Sequence, residues 1–278
     1  MKRRSLFLPL ALVFGYAFLY APIVTLIVYS FNKSKLVTVW AGFSTQWYAA
    51  LLQNDQILQA AWISLRIAAF NATVAVALGT IAGFVLARFR RFRGRTLFTG
   101  MITAPLVMPE VITGLSLLLL FVAMEALFGW PSGRGFTTIL IAHITFSMAY
   151  VAVIVQSRLA DMDTSIEEAA LDLGARPAKI FFVVTLPIIA PALIAGWLLS
   201  FTMSLDDLVI ASFVAGPGSS TLPMVIFSKV RLGVSPEINA LATILVAIVA
   251  VGTIIAGVVM ARQRRLRERD QQMAAADR

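Results

Sequence analysis

Residues 159–187 read LADMDTSIEEAALDLGARPAKIFFVVTLP, a segment of charged and small residues between two long apolar stretches. Residues 163–165 offer cap side chains for a following helix pattern rich in Glu, Ala and Leu, and Gly174 can end that helix. Arg176-Pro177 opens a second helical pattern, which runs to Leu186-Pro187. The segment therefore predicts two short helices joined by a glycine. We expect their apolar residues to share one side: Ile166, Ala170, Leu173, Ile180 and Phe181.

The rest of the chain is dominated by apolar runs. Hydrophobic residues make up 59% of the 278 residues and charged residues only 13%, with a mean hydropathy of +0.87. A soluble domain is not this apolar. Crossing the hydrocarbon core of a bilayer takes roughly 20 helical residues. Six stretches qualify, at about 6–31, 61–87, 97–123, 137–158, 188–213 and 239–261. The sequence predicts an all-α membrane protein, with residues 1–278 forming a single transmembrane domain.

Basic residues are concentrated on one side of these predicted spans. Most of the 23 Lys and Arg residues lie at 2–4, 88–95, 158–179 and 262–278, which predicts that these segments and both termini are cytoplasmic. The basic opening and the apolar run after it resemble a signal peptide. That run is too long for a cleaved segment, so we expect a retained first helix.

The segments between the basic ones are expected on the outer side. Residues 45–52 are amphipathic and aromatic, which favours a short helix on the membrane surface, although a plain connector fits too. Residues 214–236 are typical of a loop. The tail after Arg262 is expected to be a frayed helix end followed by a disordered terminus.

The loop at 159–187 resembles the permease subunits of ATP-binding-cassette importers. Their signature is Glu-Ala-Ala, then Gly, then an aliphatic residue shortly before Leu-Pro. The matching positions here are Glu168, Ala169, Ala170, Gly174, Val184, Leu186 and Pro187. The resemblance implies the six-helix type I importer permease fold in a bacterial inner membrane. It also implies that this loop is a coupling helix seated in a groove of an ATPase subunit; an ordinary amphipathic helix is the alternative.

Further segments resemble the permeases of polyamine importers, and those of putrescine systems in particular. They are Tyr29–Asn32, Lys35–Trp40, Ala104–Pro109, Gly114–Leu118 and Ser204–Ile210. The resemblance implies a polyamine substrate, with spermidine or another small cation as alternatives to putrescine. The implied partners are two copies of an ATP-binding-cassette ATPase, a second and different permease, and a periplasmic polyamine-binding protein.

Three acidic residues fall within predicted spans: Glu110, Asp206 and Asp207. A buried acid in a membrane is costly and marks a candidate functional site. Pro105 and Pro109 should kink or open the third helix and free carbonyls beside Glu110. A carboxylate with carbonyls suits an ammonium group, so these acids are candidates for the substrate path. Alternatively they are internal ion-pair partners, for example of Arg66.

Several other functions find no support in the residues. Cysteine is absent and there is a single histidine, His143, so neither a cysteine nucleophile nor a multi-histidine metal site is expected; His143 is expected to pack or to hydrogen-bond. No phosphate-binding Gly-x-x-x-x-Gly-Lys-Ser/Thr loop occurs, so no nucleotide or other cofactor is expected in this chain. The net charge of +9 does not indicate nucleic acid, because the basic residues lie between apolar runs. A self-contained channel or secondary transporter remains the competing transport class.

Overall fold

The computed structural model describes residues 7–36, 39–89, 91–233 and 235–276. The predicted cytoplasmic residues Lys2, Arg3, Arg4, Arg90 and Arg278 lie outside these ranges, as do Val37 and Thr38. The helices are α1 (Phe7–Ser30), α2 (Gln46–Leu52), α3 (Asp55–Arg88), α4 (Arg95–Val107), α5 (Glu110–Phe128), α6 (Phe136–Ala160), α7 (Ser165–Asp172), α8 (Pro177–Ile180), α9 (Leu186–Asp206), α10 (Val209–Val214), α11 (Leu222–Leu232) and α12 (Pro236–Ala276), with a π-helical turn at Phe181–Thr185 between α8 and α9.

Within the described residues, six helices are long and apolar enough to cross a membrane. They are Phe7–Ser30, Asp55–Arg88, Glu110–Phe128, Phe136–Ala160, Pro177–Asp206 and Pro236–Ile255. The all-α class with six membrane-spanning helices is confirmed. The single-domain assignment stays a prediction, as does the side of the membrane on which each terminus lies.

The chain packs into two compact units, one of Met1–Asp55 with Ser228–Arg278 and one of Gln56–Phe227. In the first, α12 packs against α1 and α2. The buried Asn32 holds the chain between α1 and α2: its amide donates to the Val39 carbonyl at 2.7 Å and its side-chain oxygen accepts from Ala41 N–H at 2.9 Å. The predicted helix within 45–52 forms as α2, and its place on a membrane surface stays a prediction.

The second unit is built around α6, whose buried face contacts α3, α4, α9 and α10. Two glycines set the approach of α3. A Cβ at Gly79 would lie 2.6 Å from Val151 Cβ, and one at Gly83 would lie 2.6 Å from the Ala152 carbonyl oxygen. Only glycine permits this separation, because any side chain would overlap α6.

The third predicted span, 97–123, is interrupted. The chain is extended at Met108 and Pro109, so α4 ends at Val107 and α5 begins at Glu110. Proline disfavours helical backbone in the residue before it and has no N–H to donate. The expected opening at Pro109 is thus present, and the helix long enough to span is Glu110–Phe128.

The fifth predicted span, 188–213, is shifted. Its helix starts at Pro177 and ends at Asp206, and residues 209–214 form the separate α10. The second short helix predicted in the cytoplasmic loop is therefore the first turn of this long helix. The π turn at Phe181–Thr185 changes the hydrogen-bond register just before Pro187, where a regular α-helix would need an N–H.

The tail also differs from its prediction. Instead of fraying after Arg262, α12 continues to Ala276. Residues 258–276 contain no Gly or Pro and are rich in Arg, Gln and Ala, which favour helix. A disordered terminus is thus wrong for the described part of this segment.

Candidate functional site

The helix α7 carries the Glu-Ala-Ala sequence, and the Thr164 side chain before it does not cap its N-terminus. Asp163 Oδ1 accepts a hydrogen bond from Ser165 N–H at 2.9 Å. Hydrogen bonds from the Ser165 backbone and side chain lower the pKa of the Asp163 carboxyl, so this contact is kept at neutral pH and is lost only as the pH falls through that lowered pKa.

The other end of α7 is closed by Gly174, whose φ is +80°. Gly174 N–H donates to the Leu171 carbonyl at 2.8 Å, and Ala175 N–H donates to the Ala170 carbonyl at 3.1 Å. These two bonds form a Schellman motif, in which the left-handed residue favours glycine. The sequence prediction of a helix ended by Gly174 is confirmed.

The motif face of α7 is open. Glu168 and Ala169 are exposed, Ala170 is half-buried, and Leu173 is 90% exposed. The expected shared apolar side does not form: Ile166 and Leu173 are exposed, whereas Ile180 is buried and the Phe181 ring packs edge-on against Phe84. The reason is that Ile180 and Phe181 belong to the long helix that starts at Pro177, where Phe181 packs on Phe84 of α3. At the end of the motif, Leu186 is half-buried and Pro187 is exposed.

Glu167, next to the exposed Glu168, contacts side chains outside α7. Its carboxylate lies 3.0 Å from Arg88 Nε at the end of α3, and it accepts a hydrogen bond of 2.6 Å from Thr185 Oγ1 in the π turn. Arg88 Nη1 also donates to the Leu159 carbonyl of α6 at 3.2 Å. We call Arg88, Glu167 and Thr185 the anchor. It links α7 to α3, α6 and the helix that starts at Pro177.

Sequence reasoning missed the anchor. From the sequence alone, Arg88 is only one of the basic residues predicted to be cytoplasmic, and Glu167 is only an acid in the first turn of a predicted helix. The available signal was that Glu167 and Glu168 are consecutive, about 100° apart on a helix, so that only one of them can face outwards.

Glu110 is the first residue of α5, directly after the break at Pro109, and it is exposed. A carboxylate at a helix N-terminus is stabilised by the helix dipole. The expectation of free carbonyls is not met at Pro109, because its carbonyl accepts from the N–H groups of Ile112 and Thr113.

The two consecutive aspartates have different environments. Asp206 is the last residue of α9 and is exposed, whereas Asp207 has extended backbone and its side chain is only 10% exposed. Asp207 accepts hydrogen bonds from the Ile210 and Ala211 N–H groups at 3.3 and 2.7 Å, which caps α10. The sequence model placed both aspartates on one helix, but the helix ends between them.

Asp207 also contacts the single histidine. Its Oδ2 lies 3.1 Å from His143 Nε2, and His143 Nδ1 lies 2.7 Å from Ser204 Oγ. His143 is thus buried and hydrogen-bonded, as the sequence predicted. Arg66 is paired with none of the three acids, because its guanidinium lies over the Phe136 ring at 5.2 Å. Within the described residues, no group of three or more His, Asp or Glu could hold a metal ion.

Comparisons with known proteins agree with these features. Residues 75–268 match the family model of the binding-protein-dependent transport system inner membrane component. The chain is 62% identical over 263 residues to the putrescine transport system permease protein PotI of Escherichia coli strain K12, covering 95% of this chain and 94% of that protein. It is 45% identical over 249 residues to the spermidine/putrescine transport system permease protein PotC of the same strain, covering 90% and 91%.

Solved structures resemble the chain in fold. A bacterial ABC transporter involved in the import of the acidic polysaccharide alginate superimposes with a TM-score of 0.68 at 18% identity, covering 91% of this chain and 93% of that one. The MetNI methionine ABC transporter, in an inward-facing conformation, superimposes with a TM-score of 0.60 at 15% identity, covering 74% and 94%.

Proposed function

The chain belongs to the family of binding-protein-dependent transport system inner membrane components, and from this premise we propose that it is the permease subunit of an ATP-driven importer that carries putrescine across the inner membrane. The single observation that supports putrescine as the substrate is the 62% identity to a putrescine permease along 95% of the chain. A second candidate is spermidine, which the printed name of the 45% identical relative includes.

The exposed face of α7 is the proposed docking site for an ATPase. The residues assigned to coupling are Glu168, Ala169, Ala170, Gly174, Leu186 and Pro187. Support comes from the position of the motif: Glu168 is free of internal ion pairs within the described residues, while the adjacent Glu167 holds α7 to the bundle. Since the anchor joins α7 to three helices, a displacement of α7 by the ATPase would move these helices with it.

The substrate path is proposed to use Glu110 and Asp206. Both are exposed, and within the described residues neither is ion-paired, so each carboxylate can face an ammonium group. Asp207 keeps a supporting role, because its carboxylate fixes the break between α9 and α10 and so places Asp206 at a helix end. The proposed partners are two ATPase copies, a second and different permease, a periplasmic polyamine-binding protein and membrane lipid.

The test is uptake of radiolabelled putrescine by proteoliposomes that contain the complete complex. We expect accumulation that requires internal ATP and the external binding protein, with Glu168→Gln lowering uptake and the ATPase remaining active when assayed alone. Putrescine uptake without ATP or the ATPase would instead establish a self-contained transporter. ATP-driven uptake of another amine with none of putrescine would retain the importer and reject the substrate.

A further inference from the structure

A cavity of about 320 Å³ lies within the second compact unit, at the ends of α3 and α6 that approach α7. Its polar lining includes Arg88, Arg95, Gln156 and Thr164, and its apolar lining includes Leu86 and Met162. The motif positions and the three candidate path acids do not line this cavity. It is therefore distinct from both sites proposed above.

Among the residues that the structure describes, two guanidinium groups have buried nitrogen atoms without a hydrogen-bond acceptor. Arg88 contacts Glu167 through Nε and the Leu159 carbonyl through Nη1, but its Nη2 has no hydrogen-bond partner in the part of the chain that the structure describes. The same holds for Nε of Arg95, whose Nη2 donates to the Leu86 carbonyl at 3.4 Å. A buried charged donor without an acceptor is destabilising, which indicates an acceptor that the described part of the chain does not supply.

The charge of the cavity favours an anion. Glu167 balances one of the two arginines, so the lining keeps the positive charge of the other. Arg95 is also the first residue of α4, a 13-residue helix whose N-terminal N–H groups add positive potential. Guanidinium groups match the geometry of phosphate oxygens.

From these contacts we propose that the cavity binds a phosphate group, carried by an anionic phospholipid headgroup or by free phosphate. The apolar lining around Leu86 and Met162 suits the glycerol and first methylene groups of a lipid, and basic pockets between membrane helices are a known setting for anionic headgroups. The bound phosphate would hold α3, α4 and α6 together beside the anchor.

The experiment uses the purified full-length chain, delipidated in an uncharged detergent. Its thermal unfolding midpoint is measured against added phosphatidylglycerol, phosphatidylcholine, or inorganic phosphate, with chloride at matched ionic strength as the reference. We expect phosphatidylglycerol to raise the midpoint by several degrees and phosphatidylcholine to leave it unchanged. A rise with inorganic phosphate alone would identify free phosphate as the source.

Substitution then tests the site. Arg95→Gln should lower the affinity for the stabilising anion roughly tenfold or more, because it removes a charged donor. Arg93→Gln removes the same charge from an exposed position in the preceding turn and should leave the affinity unchanged. The proposal is overturned if no anion shifts the midpoint, if both variants lose affinity equally, or if Arg95→Gln weakens ATPase association while the lipid response stays intact.

Discussion

At the scale of single residues, neighbouring acids have separate roles in this protein. Glu167 faces the bundle and Glu168 faces outwards; Asp207 is bonded to His143 and to α10, and Asp206 is exposed. The sequence identified Glu168, Asp206 and Asp207 as candidate site residues, but not Glu167. It did not identify which member turns inwards, because that depends on partners 79 positions away in the case of Arg88 and 64 positions away in the case of His143.

The aspartates give the residue-scale prediction. Asp207→Asn removes the charge that holds His143 and the α10 N–H groups, which costs about 1.5–3 kcal/mol for a charge-assisted contact, and should reduce the amount of folded protein. Asp206→Asn should assemble normally and lower putrescine uptake. Size-exclusion yield and uptake of the two variants are measured side by side. Equal yields for both would contradict the supporting role of Asp207.

At the scale of elements, glycines have two structural roles: they allow close helix packing, or they end a helix. Gly79 and Gly83 let α3 approach α6, where a Cβ would overlap the neighbouring helix. Gly174 instead ends α7 through a positive φ, and a Cβ there has no described residue of this chain within 4 Å. A substitution at Gly174 therefore acts through backbone strain and through whatever docks on α7, and it leaves the packing of the bundle alone.

Gly218 provides a matched control for Gly174. Its φ is +73°, close to the +80° of Gly174, and a Cβ there likewise has no neighbour within 4 Å in the described part of the chain. Both Gly174→Ala and Gly218→Ala should cost about 1 kcal/mol of local strain. Only Gly174→Ala should weaken ATPase association and transport, and Gly174→Asp should abolish both while membrane insertion stays normal. Pull-down of the ATPase measures this; equal losses in the two alanine variants would rule out a specific coupling role.

At the scale of the whole molecule, orientation depends on the distribution of basic residues. We predict that reporter fusions at residue 94 and after residue 265 report the cytoplasm, and that fusions near residues 45 and 218 report the periplasm, because the positively charged connections stay inside. Enzymatic activity of the fused reporters measures this. A consistent inversion of all four results would place α7 outside the cell and remove the proposed ATPase contact.

The sequence by itself determined the membrane class, the six apolar helices, the loop helix that ends at Gly174 and the family. These properties follow from local hydropathy, cap residues and the spacing of Glu168, Gly174 and Leu186-Pro187. Only the tertiary structure decided that the helix ends between Asp206 and Asp207, that Glu167 anchors α7, and that two arginines line a cavity. Each of these depends on hydrogen bonds and packing between residues far apart in the chain, and local sequence patterns do not identify the distant partner.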